Sequence, residues 1–106
     1  MDKQIKIVML CAAGMSSSLV CSRIAEAAKK KNVKIEISAT PIMTYKELEY
    51  DNVDLVILAP QVRFQIAEVK TYLDSYQVPV LQIGYQEYGM LEGNKILDNI
   101  LATYNK

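Results

Sequence analysis

The chain has 106 residues, 51% of them hydrophobic, and its 12 lysines and arginines balance 12 aspartates and glutamates. That length fits a single domain over residues 1–106, with enough apolar content to exclude wholesale disorder. The even charge weighs against nucleic acid as a partner, and no apolar stretch nears the roughly 20 residues needed to cross a bilayer.

The first apolar run, residues 4–10, reads as a buried strand. It is strand-length and flanked by lysines, unlike a signal peptide, so a cytoplasmic protein with no direct membrane insertion is expected. Cys11 closes this run, and the small and hydroxyl-bearing stretch Ala12, Ala13, Gly14, Met15, Ser16, Ser17 and Ser18 follows. A helix starts near Ser17 or Ser18, either of which suits an N-cap. Val20, Ile24, Ala27 and Ala28 share its apolar face, with Arg23, Glu26 and Lys30 opposite. A second strand at 33–39 alternates apolar with polar residues, which places it at a sheet edge. Residues 44–51 offer a short, poor helix.

The third strand, 54–58, is apolar after its aspartate, as a central parallel strand would be. Pro60 then suits the first turn of a helix striped by Val62, Ile66, Val69 and Leu73. A fourth strand at 78–83 contains Pro79, which cannot donate to a ladder and so marks an edge. A last helix over 91–104 carries Ile96, Leu97, Ile100, Leu101 and Tyr104 on one face.

Strands alternating with helices predict an α/β fold, an open four-stranded parallel sheet in the order 2-1-3-4 with helices on both faces. This is a flavodoxin-like arrangement, shared by low-molecular-weight tyrosine phosphatases. Ligands in such sheets bind outside the carboxyl ends of strands one and three, where the winding direction reverses. The loops there are 11–17 and 59–62. Local sequence and topology therefore both single out Cys11.

A thiol between a strand end and a helix start lies where backbone N–H groups converge and the helix dipole is positive. That setting favours a thiolate and would hold a phosphoryl group on the sulfur. Gly14 permits a tight turn, Ala12 and Ala13 keep the cradle narrow, and Ser16, Ser17 and Ser18 add hydroxyl donors. Met15 offers an apolar docking contact. The chain has two cysteines and no histidine. A Cys–His pair is thereby excluded, no C-x-x-C or four-ligand metal set exists, and no cofactor is expected in this chain. Cys21 reads as a small hydrophobe on a packed helix face. Pro60, Gln61 and Arg63 follow strand three closely enough to contact the site. Arg63 is either a solvated charge or a cation reaching an anion or a partner's carboxylate. Tyr85, Tyr88 and Gly89 read as packing or turn features.

Neither a Walker loop nor a Gly-x-Gly-x-x-Gly fingerprint is present. A Cys-x5-Arg phosphatase or arsenate reductase would place its arginine at position 17, which is Ser17. Without that guanidinium the bidentate clamp on a transferring phosphoryl group is missing. A cysteine that accepts a phosphoryl group and passes it on is the better reading. A thiol phosphatase and a noncatalytic nucleotide- or flavin-binding module are the alternatives.

The segment from Cys11 to Leu19 resembles the phosphocysteine loop of enzyme IIB components in the lactose/cellobiose class of the bacterial sugar phosphotransferase system. Ala59-Pro60-Gln61-Val62-Arg63-Phe64 is similar to that family's Gly-Pro-Gln-Val-Arg-Tyr block. Tyr88-Gly89-Met90 and Gly93 through Leu97 are similar to its C-terminal region. The departures are Ala59 for glycine and Ser17 for threonine. The resemblance implies that phosphohistidine on a IIA protein donates to Cys11, with amides of 12–18 gripping the phosphoryl oxygens. The phosphocysteine would then dock on the membrane transporter IIC and phosphorylate a β-linked disaccharide. Cellobiose or chitobiose is favoured over lactose, whose IIB is often fused to its transporter.

Overall fold

The structure, a computed structural model, describes residues 4–12 and 17–105. Four parallel strands form one sheet: β1 (Ile5–Cys11), β2 (Ile35–Pro41), β3 (Leu55–Leu58) and β4 (Val80–Gln82). Their order is β2-β1-β3-β4, the predicted flavodoxin-like topology. In register, Cys11 lies opposite Pro41, and Leu10 lies opposite both Thr40 and Leu58. The apolar runs of β1, broken only by the half-buried Lys6, and of β3 sit at the centre because both of their faces are covered. Met9, Leu10 and all of Leu55–Leu58 are fully buried.

Four helices complete the fold: α1 (Ser17–Lys30), α2 (Ile66–Asp74), the short α3 (Tyr85–Gly89) and α4 (Gly93–Tyr104). α1 and α4 pack together on one face of the sheet, and α2 covers the other. The predicted stripes are the ones buried: Val20, Ile24, Ala27 and Ala28 on α1, and Ile96, Leu97 and Ile100 on α4. Leu101 and Tyr104 are only half-buried. α2's face carries a tyrosine cluster. The Tyr45 ring meets Tyr72 edge-on at 5.3 Å, and Tyr72 lies 5.7 Å from Tyr76. The Tyr45 hydroxyl donates to Glu68 at 2.8 Å.

The element boundaries differ from expectation for local reasons. β2 begins at Ile35 because Val33 is spent closing α1: its N–H reaches the Ala28 carbonyl at 2.9 Å, and Asn32 takes a left-handed φ of 58°. The weak helix expected at 44–51 is a 3-10 helix over Ile42–Glu47 that starts directly after β2. Asp54 lies outside β3, and its carboxylate accepts from the Lys6 amide at 2.9 Å. The helix expected from Pro60 is split. A 3-10 stretch, Pro60–Gln65, precedes α2, with Val62 at a non-helical φ of −115° and ψ of 19°. Pro79 precedes β4, and its carbonyl accepts from Val56 at 3.0 Å. α3 was not anticipated.

Candidate functional site at the carboxyl edge of the sheet

The carboxyl ends of β1, β3 and β4 are knitted beyond their ladders. Ala59 N–H donates to the Leu10 carbonyl at 2.9 Å, and Ile83 N–H donates to the Leu58 carbonyl at 3.0 Å. The Gln82 amide nitrogen adds contacts to the carbonyls of Leu58 at 3.1 Å, Ala59 at 3.4 Å and Ile83 at 3.0 Å. One side chain thus holds the chain rigid where β3 hands over to Pro60. Nothing local in the sequence marks Gln82, a polar residue on a short edge strand.

Cys11 is the last residue of β1, at the point between β1 and β3 where the sheet's winding reverses. It is 6% exposed, and its thiol donates to the Thr40 carbonyl at 3.6 Å. That sulfur-to-oxygen bond is weak and orients the side chain toward the β2 side of the site. Ala12 is half-buried against the core. Ala13, Gly14, Met15 and Ser16, all expected in the phosphate loop, lie outside the described residues. Ser17 opens α1 and is 1% exposed, its hydroxyl 2.7 Å from that of Tyr88. Ser18 is exposed and lines a groove of about 260 Å³ between α1 and β2, together with Cys21 and Ala39. Cys21 is buried in α1. Burial, with a smaller contribution from the neighbouring Cys11, pushes its thiol up to about 11. It therefore stays protonated and inert at neutral pH, as a packing residue should.

The second loop brings Pro60, Gln61 and Arg63 to the same edge. Pro60 is buried at the first position of its 3-10 turn, where a missing N–H costs nothing. The Gln61 side-chain carbonyl is buried with no hydrogen-bond partner among the described residues. Arg63 is exposed, yet its guanidinium is held in place. It donates to the Pro60 carbonyl at 3.2 Å and to the Tyr85 hydroxyl, and it lies 4.7 Å from the Tyr85 ring centroid. This is a hydrogen-bonded cation–π pair, and it leaves the remaining guanidinium edge toward solvent. Tyr85 is thus tied to the second loop and Tyr88 to the start of α1; Tyr88 is also buried in the core, in keeping with its reading as a packing feature, but these hydroxyl contacts were not foreseen.

The exposed large hydrophobics form a pattern of their own. Leu19 follows β1, Met43 follows β2, Phe64 follows β3, and Tyr85 and Met90 follow β4, while Tyr76 departs from the pattern between α2 and β4. Met43, Phe64 and Met90 are 83%, 78% and 70% exposed, so they contribute almost nothing to the core. Exposed side chains of this kind in segments that follow strand ends are suited to protein contact, Met and aromatics above all.

The family model described as "PTS system, Lactose/Cellobiose specific IIB subunit" matches residues 6–99. An oligo-beta-mannoside-specific EIIB component from Bacillus subtilis (strain 168) is 32% identical, the alignment covering 92% of this chain and 93% of that one. Among solved structures, the lactose-specific IIB domain from Streptococcus pneumoniae superposes with a TM-score of 0.83 at 26% identity, covering 94% of this chain and 97% of that one. A cellobiose-specific IIB component from Borrelia burgdorferi gives 0.77 at 32% identity, covering 97% and 94%.

Proposed function

The chain belongs to the lactose/cellobiose-specific IIB family of the phosphotransferase system, and from that membership we propose that it carries a phosphoryl group on Cys11 between a phosphohistidine protein and a sugar. The observation that supports this most is the position of Cys11 at the end of β1, at the topological switch point and ahead of the N-terminus of α1. The thiol gives up its contact with Thr40 and the sulfur attacks phosphorus. The P–N bond to the donor histidine breaks as the S–P bond forms, and the thiol proton ends on the imidazole nitrogen that phosphorus leaves. In the second transfer a sugar hydroxyl attacks the same phosphorus, the S–P bond breaks, and the hydroxyl proton ends on the departing sulfur, which restores the thiol. Both steps are phosphoryl transfers, for which positioning and electrostatic stabilisation suffice, and neither requires a cofactor in this chain.

Partner exchange fits the exposed apolar side chains that follow the strand ends. Both the phosphohistidine donor, a IIA protein, and the acceptor, a membrane IIC transporter, must reach Cys11, a residue 6% exposed. Exposed apolar side chains after the strand ends suit contacts that each partner makes and releases in turn, with moderate affinity. We place the protein at the cytoplasmic side of that transporter; among the described residues no helix is long and apolar enough to cross a membrane. The relatives named above are specific for an oligo-β-mannoside, lactose and cellobiose in turn. A β-linked disaccharide of the cellobiose or chitobiose kind is the substrate class we propose here. The phosphatase alternative loses ground because position 17, where its arginine would lie, is a buried serine paired with Tyr88.

Incubation with phosphoenolpyruvate and the upstream phosphotransferase proteins tests the reading by mass spectrometry. One added phosphate on Cys11, labile to iodine and absent from Cys11→Ser, is the expected result. Phosphate on a serine, or none, overturns it.

A further inference from the structure

We propose that Tyr88 is a positioning residue for phosphoryl transfer: through the Ser17 hydroxyl it fixes the first turn of α1 against the carboxyl edge of the sheet. The proposal rests on Cys11 being the phosphoryl carrier, and it concerns a residue that touches neither the phosphoryl group nor a partner.

The pair joins residues 71 apart in sequence, 2.7 Å between hydroxyl oxygens, with both residues buried. Burying two hydroxyls is unfavourable unless they satisfy one another. A phenyl ring against a methyl group would fill similar space without that requirement. What the hydroxyls add is a fixed distance and direction, whereas an apolar contact tolerates sliding. The first turn of α1 carries N–H groups that have no partner within the helix, and their direction is set by where the helix begins. Tyr88 is itself well held. Its N–H donates to the Gly84 carbonyl at 3.1 Å, its carbonyl accepts from Leu91 at 3.2 Å, and α3 is short and tied to α4. α1 is fixed further along by α4, whose Gly93 sits against the Arg23 carbonyl. The helix is thus pinned mid-length by α4 and at its start by Tyr88.

Donors aimed at a transferring phosphoryl group lose effect when displaced by fractions of an ångström, and a 1 Å error costs on the order of 100-fold in rate. Loss of one hydroxyl from the pair shifts the turn by less than that. The expected loss in kcat is about tenfold, with the KM for the donor protein unchanged.

The experiment is single-turnover phosphorylation of the full chain by excess phosphorylated IIA, with the limiting rate read as kcat and the half-saturating IIA concentration as KM, comparing wild type with Tyr88→Phe, Ser17→Ala, the double variant and Ser17→Thr. The expected pattern is a similar fall in kcat for both single variants, no further fall in the double, and recovery in Ser17→Thr. Ser17→Ala keeps the phenol and gives the same reading if Tyr88→Phe does not fold. Protection of Cys21 from alkylation monitors the packing of α1 in every variant. Wild-type kcat in both single variants, a raised KM with kcat intact, or strictly additive losses overturns the proposal. A wild type that takes no phosphate on Cys11 instead removes the carrier reading itself.

Discussion

Replacing Gly93 by alanine sets two physical effects against each other, and the structure decides which wins. Helix propensity favours alanine over glycine by up to about 1 kcal/mol in a helix interior, and by less at a first position such as this one. Sterics oppose it. A β-carbon at Gly93 would meet the carbonyl carbon and oxygen of Arg23 well inside van der Waals contact, and it would lie 3.1 Å from the Ile24 nitrogen. These are backbone atoms in the middle of α1, so no side chain can rotate out of the way. Relief requires α1 and α4 to separate, which loosens Ile24, Ala27, Ile96, Leu97 and Ile100, all buried. Overpacking of this kind costs about 1–3 kcal/mol, so after the propensity gain the net expectation is a loss of about 1.5 kcal/mol. For a domain of this size that lowers Tm by roughly 6–12 °C. Urea unfolding followed by circular dichroism, with the slope compared to wild type, and a calorimetric melt measure it. A Gly93→Ala protein as stable as wild type, or more stable, refutes the close-approach argument and leaves propensity as the controlling factor. The same shift moves the start of α1, so phosphorylation of Cys11 should slow well below the melting temperature.

Alkaline pH should destabilise the fold through Cys21. Its thiol is raised from 9.0 to about 11 in the folded protein, so the unfolded chain ionises first. The stability present below pH 9 is then lost as pH rises toward 11, by about 1–2 kcal/mol after allowing for partial exposure. Cys21→Ala should flatten that part of the stability–pH curve, and an unchanged slope counts against the assignment. Gln77 closes α2 with a left-handed φ of 58°; Gln77→Gly should raise the urea midpoint by about 1 kcal/mol equivalent at constant slope, and a lower midpoint would show that the conformation carries no strain. Arg63→Ala should raise the KM for the IIA donor on the order of tenfold with kcat unchanged, because the stacked guanidinium faces outward. A collapse of kcat at constant KM would place Arg63 at the reacting phosphoryl group instead.

The sheet was legible because its signals are local. Two largely apolar runs, an alternating run and a proline-bearing run are enough to say which strands lie inside and which outside. The order β2-β1-β3-β4 then follows from connection rules, and it brings Cys11 to the edge where the second loop also arrives. The helix stripes were legible for the same reason. The break between the 3-10 turn and α2 was not, because Val62 keeps the apolar spacing of a continuous helix while its backbone leaves helical geometry. Short elements fared worst: α3 has five residues, too few for any period to show.

The site divides along the same line. Cys11 and its loop stand out by residue type, and α1 begins at Ser17, where the helix start was expected; the Ser17 hydroxyl, read as a helix cap, instead meets Tyr88. What the Ser17 hydroxyl touches is a different kind of fact. Its partner is 71 residues away, on an element that pattern could not find. The Gln82 clamp on Leu58 and Ala59 and the Arg63–Tyr85 stack are likewise contacts between a site loop and the chain around or after β4. Topology predicts that such segments meet, since β4 is the neighbour of β3. It cannot say which polar atoms pair, because pairing depends on side-chain reach and on which groups the core leaves without water. The segment from Gln82 to Tyr88 contains no nucleophile for the proposed transfer, yet it contacts the chain bounding both site loops. Substitutions there should therefore alter rate without altering which residue is phosphorylated, which is how a positioning element differs from a reacting one.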